Sequence, residues 1–135
     1  MNDINPGEPA SETALNQLRQ LRLGLLHLHK VLLDGERDAY EQVNGSVTSG
    51  KLLQLVISDS QFAWLHTISE FIVRIDEMLH GDEPLTASNA KSLFEQARQL
   101  LKPSETGNEF QQKYDAALQR EPDAILAHRD VMKFI

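Results

Sequence analysis

The chain contains no cysteine among its 135 residues. This absence excludes disulfide-stapled folds, thiol nucleophiles, cysteine-based zinc sites and iron–sulfur ligation. It is compatible with a reducing compartment, and we expect a cytoplasmic protein.

Long hydrophobic runs are also missing. Polar residues interrupt the apolar stretches, among them His27, Gln54, His66 and Arg74. No segment reaches the roughly 20 apolar residues that a membrane-spanning helix needs. The first ten residues carry two acidic residues and two prolines where a signal peptide needs positive charge and then an apolar run. We therefore expect neither export nor membrane insertion.

An excess of positive charge is absent as well. Lysine and arginine number 13 against 20 acidic residues, which gives a net charge of −7. Contacts with a nucleic-acid backbone require clustered cations. The densest cations, Arg19, Arg22, Lys30 and Arg37, are diluted by acidic residues on the same predicted helix. We expect no nucleic-acid partner.

What remains is the composition of one folded domain. The chain is 41% hydrophobic and 24% charged, as globular proteins are. Its length suits a single domain with a real core. We predict a flexible N-terminal segment over residues 1–10 and a single helical-bundle domain over residues 11–135.

The longest periodic segment covers residues 11–44. Ser11 suits an N-cap, and Asn44 followed by Gly45 is a left-handed helix stop. Between them, apolar residues recur every three or four positions: Leu15, Leu18, Leu21, Leu25, Leu28, Leu32, Ala39 and Val43. This spacing predicts a long amphipathic helix. Further apolar residues lie off the stripe and indicate more than one packing neighbour: Leu26, Val31, Leu33 and Tyr40.

A second long helix is predicted to turn back against the first across a short polar loop. It covers residues 51–57 and 62–79, and a capping box from Ser58 to Gln61 predicts a kink or a restart between these parts. Shorter helices are predicted from Thr86 or Ser88 to about residue 102, over residues 105–120, and from Pro122 onward. The result is an all-α antiparallel bundle in which two long helices form a hairpin and two or three shorter helices pack against it.

Polar residues recur inside the apolar stripe of the first helix. Arg22, His29 and Glu36 are spaced by seven and share the stripe of Leu25 and Leu32. One interpretation is that they pair with Arg74 and Asp76 of the second helix and fix its register. The alternative is a small-ligand cleft between the helices.

The tryptophan lies in a run of four apolar residues, which cannot all face one core. Phe62, Trp64 and Leu65 are therefore candidates for an interface, because a tryptophan supplies large contact area at low entropic cost. The alternative is that the break near Ser58 turns both sides of the run inward.

One metal-like motif occurs. Glu77 and His80 form an E-x-x-H spacing that aligns a carboxylate and an imidazole on one helical turn. A di-iron bundle needs a second copy, which is missing. The structural alternative is a histidine favoured by the helix dipole at a C-terminus. Glu77 and His80 stay candidate ligands, and the sequence predicts no cofactor and no catalytic residue.

Two segments carry a resemblance to known proteins. They are LHKVLLDGERDAYE at residues 28–41 and FAWLHTISEFIVRIDE at residues 62–77. Both resemble segments of small all-helical bacterial proteins of unassigned function, over about half of the chain. The resemblance implies a bacterial cytoplasmic protein and transfers no site residue.

These observations favour a non-enzymatic helical protein–protein interaction module. The broad apolar surfaces of the two long helices predict a homodimer, with another protein as the alternative partner. A second hypothesis is a metal- or small-ligand-binding bundle that uses histidine and glutamate side chains on the long helices.

Overall fold

The computed structural model describes residues 7–135, and every regular element in this range is helical. The elements are α1 (Glu12–Asn44), α2 (Ser49–Ser58), a 3₁₀ turn (Ala63–Leu65), α3 (His66–His80), α4 (Ala87–Leu100), α5 (Glu109–Arg120) and α6 (Pro122–Met132). No strand is present among these residues, so the prediction of an all-α fold is confirmed.

Most helix ends lie where local chemistry places them. The Ser11 hydroxyl accepts a hydrogen bond from the Ala14 N–H at 3.1 Å, and α1 ends at Gly45, whose φ is +84°. Thr86 caps α4 in the same way, and Pro122 occupies the first turn of α6. These four predictions are confirmed, because each depends on side chains within one turn.

The start of α5 differs from the sequence prediction. The helix was expected from residue 105, but it begins at Glu109. Asn108 and Gln111 form a reciprocal capping box, with the Asn108 side chain accepting from the Gln111 N–H at 2.8 Å. This cap satisfies two free N–H groups and fixes the start four residues later.

The second long helix is not continuous, and the predicted hairpin of two long helices is not confirmed. Ser58 ends α2, and the Asp59 side chain accepts a hydrogen bond from the Gln61 N–H at 2.8 Å. The chain then turns, with the Phe62 N–H donating to the Asp59 carbonyl at 3.1 Å. The predicted restart is confirmed, but the capping box at Ser58 is wrong because the Asp59 carboxylate takes that role.

The last helix also runs antiparallel along α1. Two glycines permit this close approach. A Cβ at Gly24 would lie 3.1 Å from a methyl group of Val131, and one at Gly35 would lie 3.1 Å from a carboxylate oxygen of Glu121. Val131 lies near the end of α6 and Glu121 precedes its start, so the two contacts fix the antiparallel direction.

The core is built around α1, which packs against α6, α3 and α4. Its buried stripe contains Leu18, Leu21, Leu25, Leu28 and Leu32. Helix α2 contributes only Leu55 to the buried core. Leu52 and Val56 of α2 are partly buried and pack against the same core.

The predicted flexible segment at the start of the chain is only partly covered by the residues that the structure describes. Residues 1–6 of the segment predicted to be flexible are not among the described residues. Its last residues are held by backbone hydrogen bonds: the Ala10 N–H donates to the Leu85 carbonyl at 2.8 Å, and the Glu8 carbonyl accepts from the Ala87 N–H at 2.7 Å. Residues 8–10 are therefore attached to the loop before α4.

Candidate functional site: the outer face of helices α1 and α3

The polar residues predicted as one cluster lie in separate places. Arg22 donates to the carboxylate of Asp76 and joins α1 to α3. Arg74 instead donates to the Gln96 side chain of α4 at 2.6 Å. Arg22 and Glu36 are 14 residues apart on a straight helix, which corresponds to about 21 Å. One small-ligand cleft cannot contain both side chains.

Glu36 connects α1 to the break between α2 and α3. Its carboxylate accepts from the Gln61 amide at 3.0 Å and from the Trp64 indole N–H at 3.2 Å. The Arg120 guanidinium lies 3.9 Å away, and the Glu36 side chain is only 13% exposed. These contacts fix the position of the turn relative to α1.

His29 lies on the same side of α1, between Arg22 and Glu36. Burial, together with the nearby His66 imidazole, lowers its pKa below the ordinary value of 6.5. The His66 Nε2 is 2.6 Å from the Val56 carbonyl oxygen. His29 and His66 therefore mark a second point at which α1 meets α3.

The predicted interface at Phe62, Trp64 and Leu65 is wrong for this chain, because the three side chains are 5% exposed or less. The 3₁₀ turn rotates the run so that its large residues face the core. Their burial agrees with the alternative interpretation, in which the break near Ser58 turns both sides of the run toward the core. Trp64 packs against Phe110, with ring centroids 5.6 Å apart, rather than facing solvent.

A buried tyrosine–histidine pair was not anticipated from the sequence. The Tyr114 hydroxyl and His128 Nδ1 are 2.6 Å apart and join α5 to α6. Burial raises the pKa of Tyr114 and lowers the pKa of His128. Both residues lie on periodic apolar faces of their helices. No local sequence pattern indicates that Tyr114 hydrogen-bonds His128, which lies fourteen residues further along the chain.

The candidate metal ligands lie at the exposed end of α3. Glu77 and His80 are both exposed, and His80 Nδ1 is 3.1 Å from the Asp76 carbonyl oxygen. Among residues 7–135, no group of three side chains is arranged to hold a metal ion. In the same range, no helix combines the length and the apolar character needed to span a bilayer.

The outer side of α1 and α3 carries exposed apolar residues. Leu23 is 54% exposed, Leu26 41% and Val73 53%. Leu26 lies between Arg22 and His29 on α1, and Val73 lies between His66 and Asp76 on α3. Residues three or four apart share a helix face, so the contacts at Arg22–Asp76 and His29–His66 bring Leu26 and Val73 to one surface. We call Leu23, Leu26 and Val73 the α1–α3 face.

Charged residues of opposite sign flank this face. Arg19 and Lys30 are exposed on α1, and Glu77 is exposed on α3. Lys30 already pairs with Asp34 at 2.7 Å, while Glu77 has no hydrogen bond or ion pair with the described residues. In the sequence, Leu26 lies off the main apolar stripe of α1, but no local pattern connects it with Val73, because the two are 47 residues apart.

No protein-family model, curated protein or solved structure matches this chain.

Proposed function

We propose that this chain is a helical protein-interaction module that forms a two-fold homodimer through the α1–α3 face. The observation that carries the proposal is an exposed apolar centre, Leu23, Leu26 and Val73, with cations on one helix and an anion on the other. Clustered exposed apolar residues with a polar rim are typical of protein interfaces.

The charge distribution favours self-association in one orientation. A two-fold axis parallel to the helices places α1 of one copy over α3 of the other. The Arg22–Asp76 contact puts Arg19 and Glu77 at nearly the same height, so each Arg19 then approaches Glu77 of the other copy. An axis across the helices would instead place Arg19 opposite Lys30 of the other copy, and like charges at an interface are unfavourable.

The size of the apolar centre sets the expected affinity. A standard interface buries about 800 Å² on each partner. Three partly exposed side chains supply only a fraction of that area, so the charged rim must contribute the remainder. We expect a dissociation constant in the micromolar range and a clear dependence on salt.

Analytical ultracentrifugation across the micromolar range tests the dimer. The expected result is a mass that rises from 15.2 kDa toward twice this value with concentration. Leu26→Glu should weaken association at least about tenfold, because it buries a charge at the centre of the interface. Leu53→Glu is the matched control, since Leu53 is 61% exposed and lies on a different helix, α2.

A charge exchange tests the orientation. Arg19→Glu and Glu77→Arg should each weaken the dimer, and the double variant should recover most of the loss. A monomeric mass up to about 500 µM overturns the proposal. Dissociation by Leu53→Glu but not by Leu26→Glu would overturn the assignment of the dimer to this face.

A further inference from the structure

The end of α1 carries two neighbouring residues that can react with each other. Asn44 is the last residue of the helix and Gly45 follows it, and no other asparagine in the sequence precedes a glycine. In such a pair the backbone nitrogen of the glycine can attack the side-chain carbonyl carbon of the asparagine, because glycine has no Cβ to obstruct the approach. The pair is therefore a candidate site of deamidation.

Deamidation proceeds in two steps and needs only water. The Gly45 nitrogen bonds to Cγ of Asn44, and the amide NH₂ leaves as ammonia with the proton that the nitrogen loses, so that a five-membered succinimide ring remains. Water then opens the ring at either of its two carbonyl carbons. The products are aspartate and isoaspartate, and both carry a carboxylate, which accepts hydrogen bonds but cannot donate them as the amide does.

The two reacting residues are open to solvent. Asn44 and Gly45 are both exposed. Apart from the chain neighbours of Gly45, nothing in the described part of the chain lies within 4 Å of the position that a Cβ would take. The φ of Gly45 is +84°, so the backbone leaves the helix directly after Asn44. Water therefore reaches the pair.

In the folded helix, two hydrogen bonds hold the reacting groups in place. The Gly45 N–H donates to the Glu41 carbonyl at 2.8 Å, and the Asn44 side-chain amide donates to the Tyr40 carbonyl at 3.1 Å. The attack requires the Gly45 nitrogen to turn away from Glu41, so the last turn of α1 must open first. This turn has no basic side chain to complement the negative end of the helix dipole, and Val43 in it is 84% exposed.

A carboxylate at position 44 would weaken the attachment of the loop that leads to α2. Side chains of α1 bind both backbone groups of Val47 in this loop: its N–H donates to the Glu41 carboxylate at 2.7 Å, and its carbonyl accepts from Arg37 at 2.9 Å. Position 44 lies three residues after Glu41 on the same side of the helix, where like charges repel. A negative charge is also unfavourable at the C-terminal end of a helix.

We propose that Asn44 is a site of spontaneous deamidation, that opening of the last turn of α1 sets its rate, and that the product loosens the loop before α2. The modification needs no enzyme, and its extent increases with the age of the molecule. It uses no residue of the α1–α3 face and does not depend on the dimer.

The rate is measured by incubating the full-length protein and a synthetic peptide of residues 38–51 in the same mildly alkaline buffer. Trypsin cuts after Arg37 and Lys51, so mass spectrometry of the fragment between them gives the deamidated fraction. We expect the protein to react roughly ten- to a hundredfold more slowly than the peptide, because a helix end is open for a small fraction of the time. Equal rates would overturn the proposal, and so would a ratio above about a thousand, which would place the reaction in the globally unfolded chain.

A lysine in the last turn tests whether opening of the helix end sets the rate. Val43→Lys favours the closed turn, so it should slow deamidation of the protein about two- to fivefold relative to a peptide with the same substitution. Leu126→Lys is the matched control, because Leu126 is 49% exposed on α6, and it should leave the rate unchanged. An equal effect of both substitutions, or no effect of Val43→Lys, would contradict control by the helix end.

Asn44→Asp tests the consequence of the modification. Hydrogen exchange of the Val47 amide, followed by NMR, should become about two- to fivefold faster than in the unmodified protein, while the Gln111 amide at the start of α5 keeps its rate. Asn44→Gln retains a side-chain amide and is the control for loss of the asparagine itself. An unchanged exchange rate of Val47 in Asn44→Asp would overturn the claim that the product loosens the loop.

Discussion

Replacing Glu36 by alanine should destabilise the fold by about 2 kcal/mol. The change leaves the Trp64 indole N–H, in a side chain that is 5% exposed, without an acceptor, and a stranded buried donor costs about 1–3 kcal/mol. The Gln61 side chain loses its hydrogen bond to the Glu36 carboxylate but keeps the one to the Glu36 backbone carbonyl at 3.2 Å, so it is not left without a partner. Arg120 lies at 3.9 Å with a half-exposed side chain and adds little.

Differential scanning calorimetry and urea denaturation measure this loss. A loss of about 2 kcal/mol in a chain of this length lowers the Tm by roughly 6–8 °C. Alanine has a higher helix propensity than glutamate or aspartate, so the substitution itself slightly favours the helix. Asp38→Ala, on the exposed side of α1, is the matched control for this effect and should leave the Tm unchanged or slightly raised. An unchanged or raised Tm for Glu36→Ala would refute the structural role and favour a functional one, since polar functional groups often reduce stability.

Two further predictions concern pH and the break after α2. Burial lowers the pKa of both His29 and His128 below 6.5, so near this pH the folded chain binds fewer protons than the unfolded chain. The free energy of unfolding should therefore fall as the pH drops below about 6.5. Urea titrations at several pH values should show a smaller fall for the His128→Gln variant. Ser60→Pro should leave the Tm within about 2 °C, because Asp59 before it is extended and Ser60 is the second residue of a turn. Ser58→Pro, inside α2, should cost about 3 kcal/mol, and equal losses in both variants would contradict the break.

The sequence was sufficient for features that depend on neighbours within one turn. Ser11, Gly45 and Pro122 begin or end helices where predicted, because a cap or a fixed φ acts on the adjacent backbone alone. The restart after α2 was also predicted, although the capping residue is Asp59 rather than Ser58. Two side chains in the same turn compete for the same N–H groups, and sequence does not decide between them.

The sequence did not determine which helix covers α1. Periodicity shows that a face is apolar but does not identify its neighbour, so the second helix was assigned by loop length alone. The small surface at Gly24 and Gly35 admits α6 in addition to α3, and this complementarity appears only when both helices are seen together. The same limit applies to the candidate site. The seven-residue spacing places Arg22, His29 and Glu36 on one side of α1, but each of them meets a different partner at a different height along the helix.

The packing of α6 on α1 has a consequence for synthesis on the ribosome. Seventy-seven residues separate the end of α1 at Asn44 from the start of α6 at Pro122. At 5–20 residues per second, translation needs roughly 4–15 seconds to cross this interval. During that time the glycine-bearing side of the long helix has no cover, so the nascent chain exposes it to chaperones and to neighbouring chains before the final helix arrives.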